Sequence, residues 1–183
     1  MIVGDHAVIR AADLDDSPLL HRLYDVSKPR SFLLGPSREV LIPTRDELQE
    51  VLSRKDLLSG VFFVVEDKQG ELRGCCSLRG VTSSAFFSEM AVALVDEADY
   101  ATPLADEVMD FIRYGGFHER KLRKLMGHCL DREARYREFL VRHGFVSNGV
   151  QREMVYALGR YFDLESLSLF RDAADDALQE EAG

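Results

Sequence analysis

"EMAVALVDEADYATPLADEVM", Glu89–Met109, carries the chain from an apolar run into an amphipathic segment. Met90–Val95 are almost wholly apolar, which reads as the end of a buried strand. The full run, 83–95, exceeds the usual strand of about 5–6 residues, and this predicts a bulge within it. Beyond it Leu104, Val108, Phe111 and Ile112 recur at helical spacing, and Pro103 suits a first helical turn. A strand that turns directly into a helix aims bare backbone N–H groups at whatever lies there, and anions bind such ends. Turns that do this usually carry glycine, so that the backbone can approach the ligand. "YATPLA", Tyr100–Ala105, has none, and Pro103 removes a donor. The stretch is therefore either an anion cradle working with the amides of Ala101, Thr102, Leu104, Ala105 and Asp106, or only a helix start.

Working outward, "HAVIRAA" (6–12) reads as a strand. A helix follows it, with Ser17-Pro18 as cap and first position and Leu19, Leu20, Leu23 and Tyr24 as its apolar stripe. Residues 28–43 hold three prolines without a clean period and read as a loop. "TRDELQEVLSRKD" opens with a capping box, Thr44 and Glu47. Residues 60–81 read as a hairpin turning at Gln69-Gly70. After the 104–114 helix, ended by Gly115-Gly116, come a strand over 121–130, a helix over 131–145 capped by Asp131 and stopped by Gly144, and a closing hairpin over 150–170 turning near Gly159. The order is β-α-α-β-β-β-α-β-α-β-β, an α/β (α+β) chain with a mixed, mostly antiparallel sheet. One domain is expected over 1–170, with an acidic tail over 171–183.

Composition narrows the function. The chain has 183 residues and a formal charge of −9, which argues against nucleic-acid binding and favours cationic partners. Three cysteines, two of them adjacent, fit neither a disulfide framework nor a zinc site. No ligand-pair spacing suggests a metal. The N-terminus lacks a basic, apolar leader, and no 18-residue apolar run exists, so no membrane span and a cytoplasmic location are expected.

Three stretches together resemble the GNAT superfamily of acyl-CoA-dependent N-acyltransferases. "EMAVALVDEADYATPLADEVM" resembles a strand ending in V-D-P-E, then R/Q-x-x-G-x-G/A, then a helix. Val95-Asp96 match the strand end, Tyr100 stands at the Arg or Gln, Pro103 at the middle glycine, and Ala105 at the last position. "FLVRHGF" resembles the family's L-x-K/R-x-G-F helix end. Gly159, Arg160, Tyr161 and Asp163 resemble the G-R-Y-x-D of the branch that acetylates ribosomal-protein N-termini. Leu140, where some members have a tyrosine that protonates the leaving thiolate, is also common in that branch.

The resemblance implies direct acetyl transfer from acetyl-CoA to a primary amine, of a small molecule, a protein N-terminus or a lysine. It implies that the backbone of Ala93, Leu94 and Val95 pairs with pantetheine, and that Ala101, Thr102, Leu104, Ala105 and Asp106 meet the pyrophosphate. Tyr100 either contacts the coenzyme or packs at the helix start. Members often dimerise, which leaves a homodimer open. With two signature positions replaced, a GNAT-fold binding or regulatory module that has lost catalysis is the alternative.

Amine attack on a thioester needs a base for the ammonium proton. Glu89 is the first candidate, the one acid between Glu71 and Asp96 and aligned with a catalytic Glu of some histone-type members. Its other reading is a solvated or bulged position. His128 is the second, placed where ribosomal-type members can carry a catalytic Glu; its other reading is a packed strand histidine. Tyr136, Tyr156 and Tyr161 are packing residues or alternative proton donors for the thiolate. The basic cluster from His118 to Lys124 is a solvated edge or a contact for the coenzyme's 3′-phosphate.

Overall fold

The computed structural model describes residues 1–23, 30–34, 44–53, 60–79 and 86–171. Among them the frame is one eight-stranded sheet, built from β1 (Ile2–Val3), β2 (Val8–Ala11), β3 (Gly60–Glu66), β4 (Leu72–Arg79), β5 (Phe87–Leu94), β6 (Lys124–Leu130), β7 (Val146–Ala157) and β8 (Arg160–Phe170). Its order is β1-β2-β3-β4-β5-β6-β8-β7. Neighbours are antiparallel except β5 with β6. The helices are α1 (Ser17–Leu23), α2 (Arg45–Ser53), α3 (Pro103–Arg113) and α4 (Ala134–Arg142). The mixed, mostly antiparallel sheet with flanking helices is the one the sequence predicts. The tail beyond Arg171 and most of the 28–43 loop lie outside the described residues.

Alternation along the strands sorts two cores. Cys76, Leu78, Met90, Val92 and Leu94 face α3 and α4, where Ala105, Val108, Met109, Ile112, Phe139 and Leu140 close the larger core. Cys75 and Ala93 face the other way, onto Leu19, Leu20 and Leu23 of α1 and onto Phe32. All three cysteines are free and buried, and burial pushes the Cys75 and Cys129 thiols up to about 12. They are core hydrophobes.

Several boundaries differ from the sequence reading. Asp13, not Ser17, caps the first helical turn, through a reciprocal box with Asp16 on a 3₁₀ turn that leads into α1. Thr44 and Glu47 do form the predicted capping box of α2. Over the described part of the 83–95 run, β5 shows no register shift against β4; shifts occur instead between β3 and β4 at Val65/Glu66 and between β7 and β8 at Ser147/Gly149 and Gln151/Val155. Gly115-Gly116 do not end the third helix. The chain continues as π-helical turns over Tyr114–Glu119, with Phe117 fully buried. Gly116 lets the turn pack closely, since a Cβ there would stand 2.8 Å from Leu125 Cδ2 and push that side chain aside. Asp131 does not cap α4; Glu133 holds the N-cap position without capping it by a side-chain bond. Gly144 stops the helix at φ +86°, as its position predicts.

What positions the site is the parting of β5 from β6. They pair only at Phe87↔Lys124, Ser88↔Leu125 and Glu89↔Met126. β5 then continues to Leu94 and β6 to Leu130, the latter bonded to β8 throughout its length. α4 packs beneath the parting strands, and Gly127 lets it close: a Cβ there would meet Leu140 Cδ1 at 3.1 Å.

Candidate active site

The mouth of the gap brings together the two candidate bases. Glu89 sits at the last paired position of β5, and His128 follows on β6. Their side chains approach at 3.4 Å, Nε2 to Oε1. Ser166 of β8, directly opposite His128 in register, lies 2.9 Å from Nδ1. A carboxylate only accepts, so the neutral ring carries its proton on Nε2 toward Glu89, and the Ser166 hydroxyl donates to Nδ1. The His128 side chain is 12% exposed and that of Glu89 44%, so the carboxylate is the member that meets solvent. Phe32, with the Arg79 guanidinium 5.3 Å from its ring centre, forms the rim on the α1 side.

Deeper in the gap the chain satisfies its own strand edge. Val95 N–H donates to Arg73 of β4, so alternation turns Ala93 toward β4 and leaves Val92 and Leu94 facing the gap. Leu94 N–H donates to the Tyr100 hydroxyl at 3.2 Å, and that hydroxyl donates to Val92 O at 3.0 Å. The Tyr136 hydroxyl also hydrogen-bonds the Val92 backbone. Arg30 donates to Leu94 O, with a longer contact to Val95 O. The Tyr100 ring lies against Tyr136 at 5.2 Å and Phe139 at 5.5 Å between centroids. Burial pushes both phenols above their ordinary range, so both remain protonated.

Glu133 ties the short 30–34 segment to this frame. Its Oε2 accepts from Leu130 N–H at 2.8 Å and from Ser31 N–H at 2.9 Å. Burial raises its carboxyl, while those bonds and Arg30 work against the rise.

The stretch between β5 and α3 is a 3₁₀ turn, Glu97–Ala101, capped by Asp96. Asp99 clasps Arg73 through both oxygens, at 2.7 and 2.8 Å. Thr102 N–H donates to Asp99 O, and the N–H groups of Ala105 and Asp106 donate to Thr102 O. Leu104 is buried and Ala101 exposed. Asp106, in the first turn of α3, accepts from Arg142 at 2.6 Å and lies 3.0 Å from His143 Nε2. Burial would raise its carboxyl, but Arg142 and His143 outweigh that and hold it below the usual carboxylate range. In this conformation the strand edge and helix start that the sequence assigns to a coenzyme are therefore filled by the chain's own Tyr100, Tyr136, Arg30 and Asp106.

The Tyr156 and Tyr161 rings meet at a tilt of 58°, 5.0 Å apart between centroids, on the β7–β8 hairpin and are exposed, outside the gap. Sequence reasoning misses Ser166, Arg30 and Glu133. Ser166 is recoverable from the alternation Leu164-Ser166-Ser168 only once the β6–β8 register is known. Arg30 has no sequence signal, because it acts through a backbone carbonyl distant in the chain, and the same holds for the bond from Ser31 to Glu133, although Glu133 also holds the nearby Leu130 N–H.

The family described as acetyltransferase (GNAT) domain matches residues 9–165. No curated protein matches the sequence. Among solved structures, mutant forms of the spermidine/spermine N-acetyltransferase SpeG from Vibrio cholerae superpose with TM-score 0.76 at 20% identity, over 98% of this chain and 100% of theirs. A chimera of the Vibrio cholerae enzyme and hSSAT gives 0.75 at 21%, over 90% and 95%. A dodecameric spermidine N-acetyltransferase from Vibrio cholerae in an intermediate state gives 0.73 at 21%, over 91% and 95%.

Proposed function

Because the chain belongs to the GNAT acetyltransferase family and is an acetyl-CoA-dependent N-acetyltransferase, we propose that Glu89 is its general base, with His128 and Ser166 holding it in place. The observation that carries this is the line Ser166–His128–Glu89 at the point where β5 and β6 part. Glu89 takes a proton from the incoming ammonium, His128 Nε2–H steadies the carboxylate, and Ser166 fixes the ring's tautomer. The neutral amine forms its bond to the thioester carbonyl carbon, the C–S bond breaks, and the extra proton lost from the new amide nitrogen balances the one the departing thiolate takes up. Tyr136 is a candidate for that last donation, as its phenol remains protonated inside the gap.

A polyamine is the first acceptor to test. Solved structures of similar fold include spermidine N-acetyltransferases, and a chain of charge −9 draws polycations toward a half-exposed carboxylate. A protein N-terminus, as in the ribosomal-protein branch, is the second reading, favoured by the exposed Tyr156–Tyr161 pair beside the "GRYFD" turn. Assembly as a homo-oligomer belongs to the same proposal. The edge strand β7 exposes Val146, Val150 and Met154, as an interface between copies would.

Release of free thiol from acetyl-CoA, followed with spermidine, spermine and a short peptide in turn, tests acceptor and base together. Turnover is expected with a polyamine, and Glu89→Gln should abolish most of it. Turnover unchanged in both Glu89→Gln and His128→Ala would remove the proposed base.

A further inference from the structure

We infer that Tyr100 is a built-in competitor for the pantetheine arm of acetyl-CoA and thereby sets the enzyme's KM for it. The inference rests on the acetyl-CoA reading of the β5–β6 gap. A strand edge offers one N–H and one C=O per facing residue, and an extended amide that adds to the edge accepts from one and donates to the other. The Tyr100 hydroxyl does both, accepting from Leu94 N–H and donating to Val92 O. Leu94 N–H has a single hydrogen, so phenol and amide cannot share it. The ring competes for space as well. Tyr100 is 5% exposed and packs against Tyr136, which lines the same cleft, and against Phe139 of the core behind it.

The surrounding backbone is held firmly enough that the side chain is the part free to yield. Asp99 is clasped by Arg73, and the Tyr100 carbonyl accepts from Arg142 at 3.0 Å. A coenzyme entering the gap therefore displaces a hydroxyl and a ring rather than a strand. Each displaced hydrogen bond is a modest net loss, so the two together lower affinity by on the order of tenfold.

Tyr100→Phe tests this on the full chain, with acetyl-CoA titrated calorimetrically and varied in steady-state kinetics. Tighter binding and a lower KM, each by about tenfold, are expected. The ligand-free melting temperature should fall while the stabilisation given by acetyl-CoA grows, because Leu94 N–H and Val92 O are left unpaired until the coenzyme arrives. Tyr100→Met, apolar and without the hydroxyl, provides the same readout if the phenylalanine form does not fold. Binding by the wild type with equal or weaker binding by both variants overturns the competitor role alone. A folded wild type and folded variants that all fail to bind acetyl-CoA overturn the coenzyme reading of the gap, and this inference with it.

Discussion

At the mouth of the β5–β6 gap, Glu89, His128 and Ser166 hold one another while the carboxylate still faces solvent. Deeper along the same strand, Val92 and Leu94 are buried, and their gap-facing groups are bonded to Tyr100, Tyr136 and Arg30. One parting of two strands makes both regions. The mouth keeps hydrogen-bonding capacity for a reactant, whereas the interior uses its own to hold the fold. Changes at the mouth should therefore alter turnover with little effect on stability, and changes inside should alter stability and coenzyme affinity.

The sharpest way to break that contrast is at the mouth. Glu89→Gln and His128→Ala are each expected to lower kcat by about 10²–10⁴-fold with little change in unfolding free energy. The double variant should lose little more than the worse single one, because groups acting as a unit are not additive. Steady-state kinetics beside urea unfolding checks this, and a large stability loss at Glu89 would erase the distinction. Inside, Gly74→Ala should act in the opposite sense. A Cβ there would stand 2.4 Å from Ala93 O and 2.8 Å from Leu94 Cδ2, pressing on backbone that cannot rotate away. A loss of about 1–3 kcal/mol in urea unfolding is expected. A neutral result would mean that β5 shifts freely at the point where its edge is meant to be fixed.

The two regions are also unequally legible in the sequence. Glu89 stands out as a lone acid in an apolar run, and His128 as a titratable group on a strand; both signals are local, and the fold brings the two together. Chain order and the "FLVRHGF" end likewise locate α4 and its glycine stop. The interior cannot be read that way. Tyr100 occupies a motif position and so draws a loop role, but its ring turns back onto the strand that precedes it. Which of Ala93, Leu94 and Val95 faces the gap depends on register with β4, a property of pairing that one strand's residues do not encode. The cap of the first helix is misplaced for a related reason: Asp13-x-x-Asp16 is a box with an acid at both ends, and Ser17-Pro18 is the more familiar signal.

Another variant acts between the regions, on the 3₁₀ turn that delivers Tyr100. Asp99 is nearly buried and holds Arg73 through charge-assisted bonds, and that bond raises the Arg73 guanidinium above its ordinary range. Asp99→Asn keeps the shape and removes the charge. A loss of about 1–2 kcal/mol is expected, together with a changed KM for acetyl-CoA, since the turn no longer aims the phenol into the gap. Unchanged KM with reduced stability would make the clasp structural only.

The smallest effect belongs to Asp106, at the start of α3. Its carboxyl is held below the usual range by Arg142 and His143 against the opposing effect of burial. A depressed acid stabilises the fold above its unfolded pKa, and that contribution fades as pH falls through the folded value. The side chain is 46% exposed, so solvent and salt screen the pair, and Asp106→Asn should cost only about 0–1 kcal/mol near neutrality. The difference between wild type and variant should close as the solution is acidified below the carboxylate range, because the wild type then loses the charge the variant never had. A difference that persists in acid would mean that shape, not charge, holds the helix start. The same substitution releases Arg142 and His143 at the helix end where the coenzyme's phosphates are expected, so acetyl-CoA affinity should rise as stability falls. Opposite movement of these two quantities in one variant would show that helix α3 begins, like the interior of the gap, with a group of the chain standing in for the coenzyme.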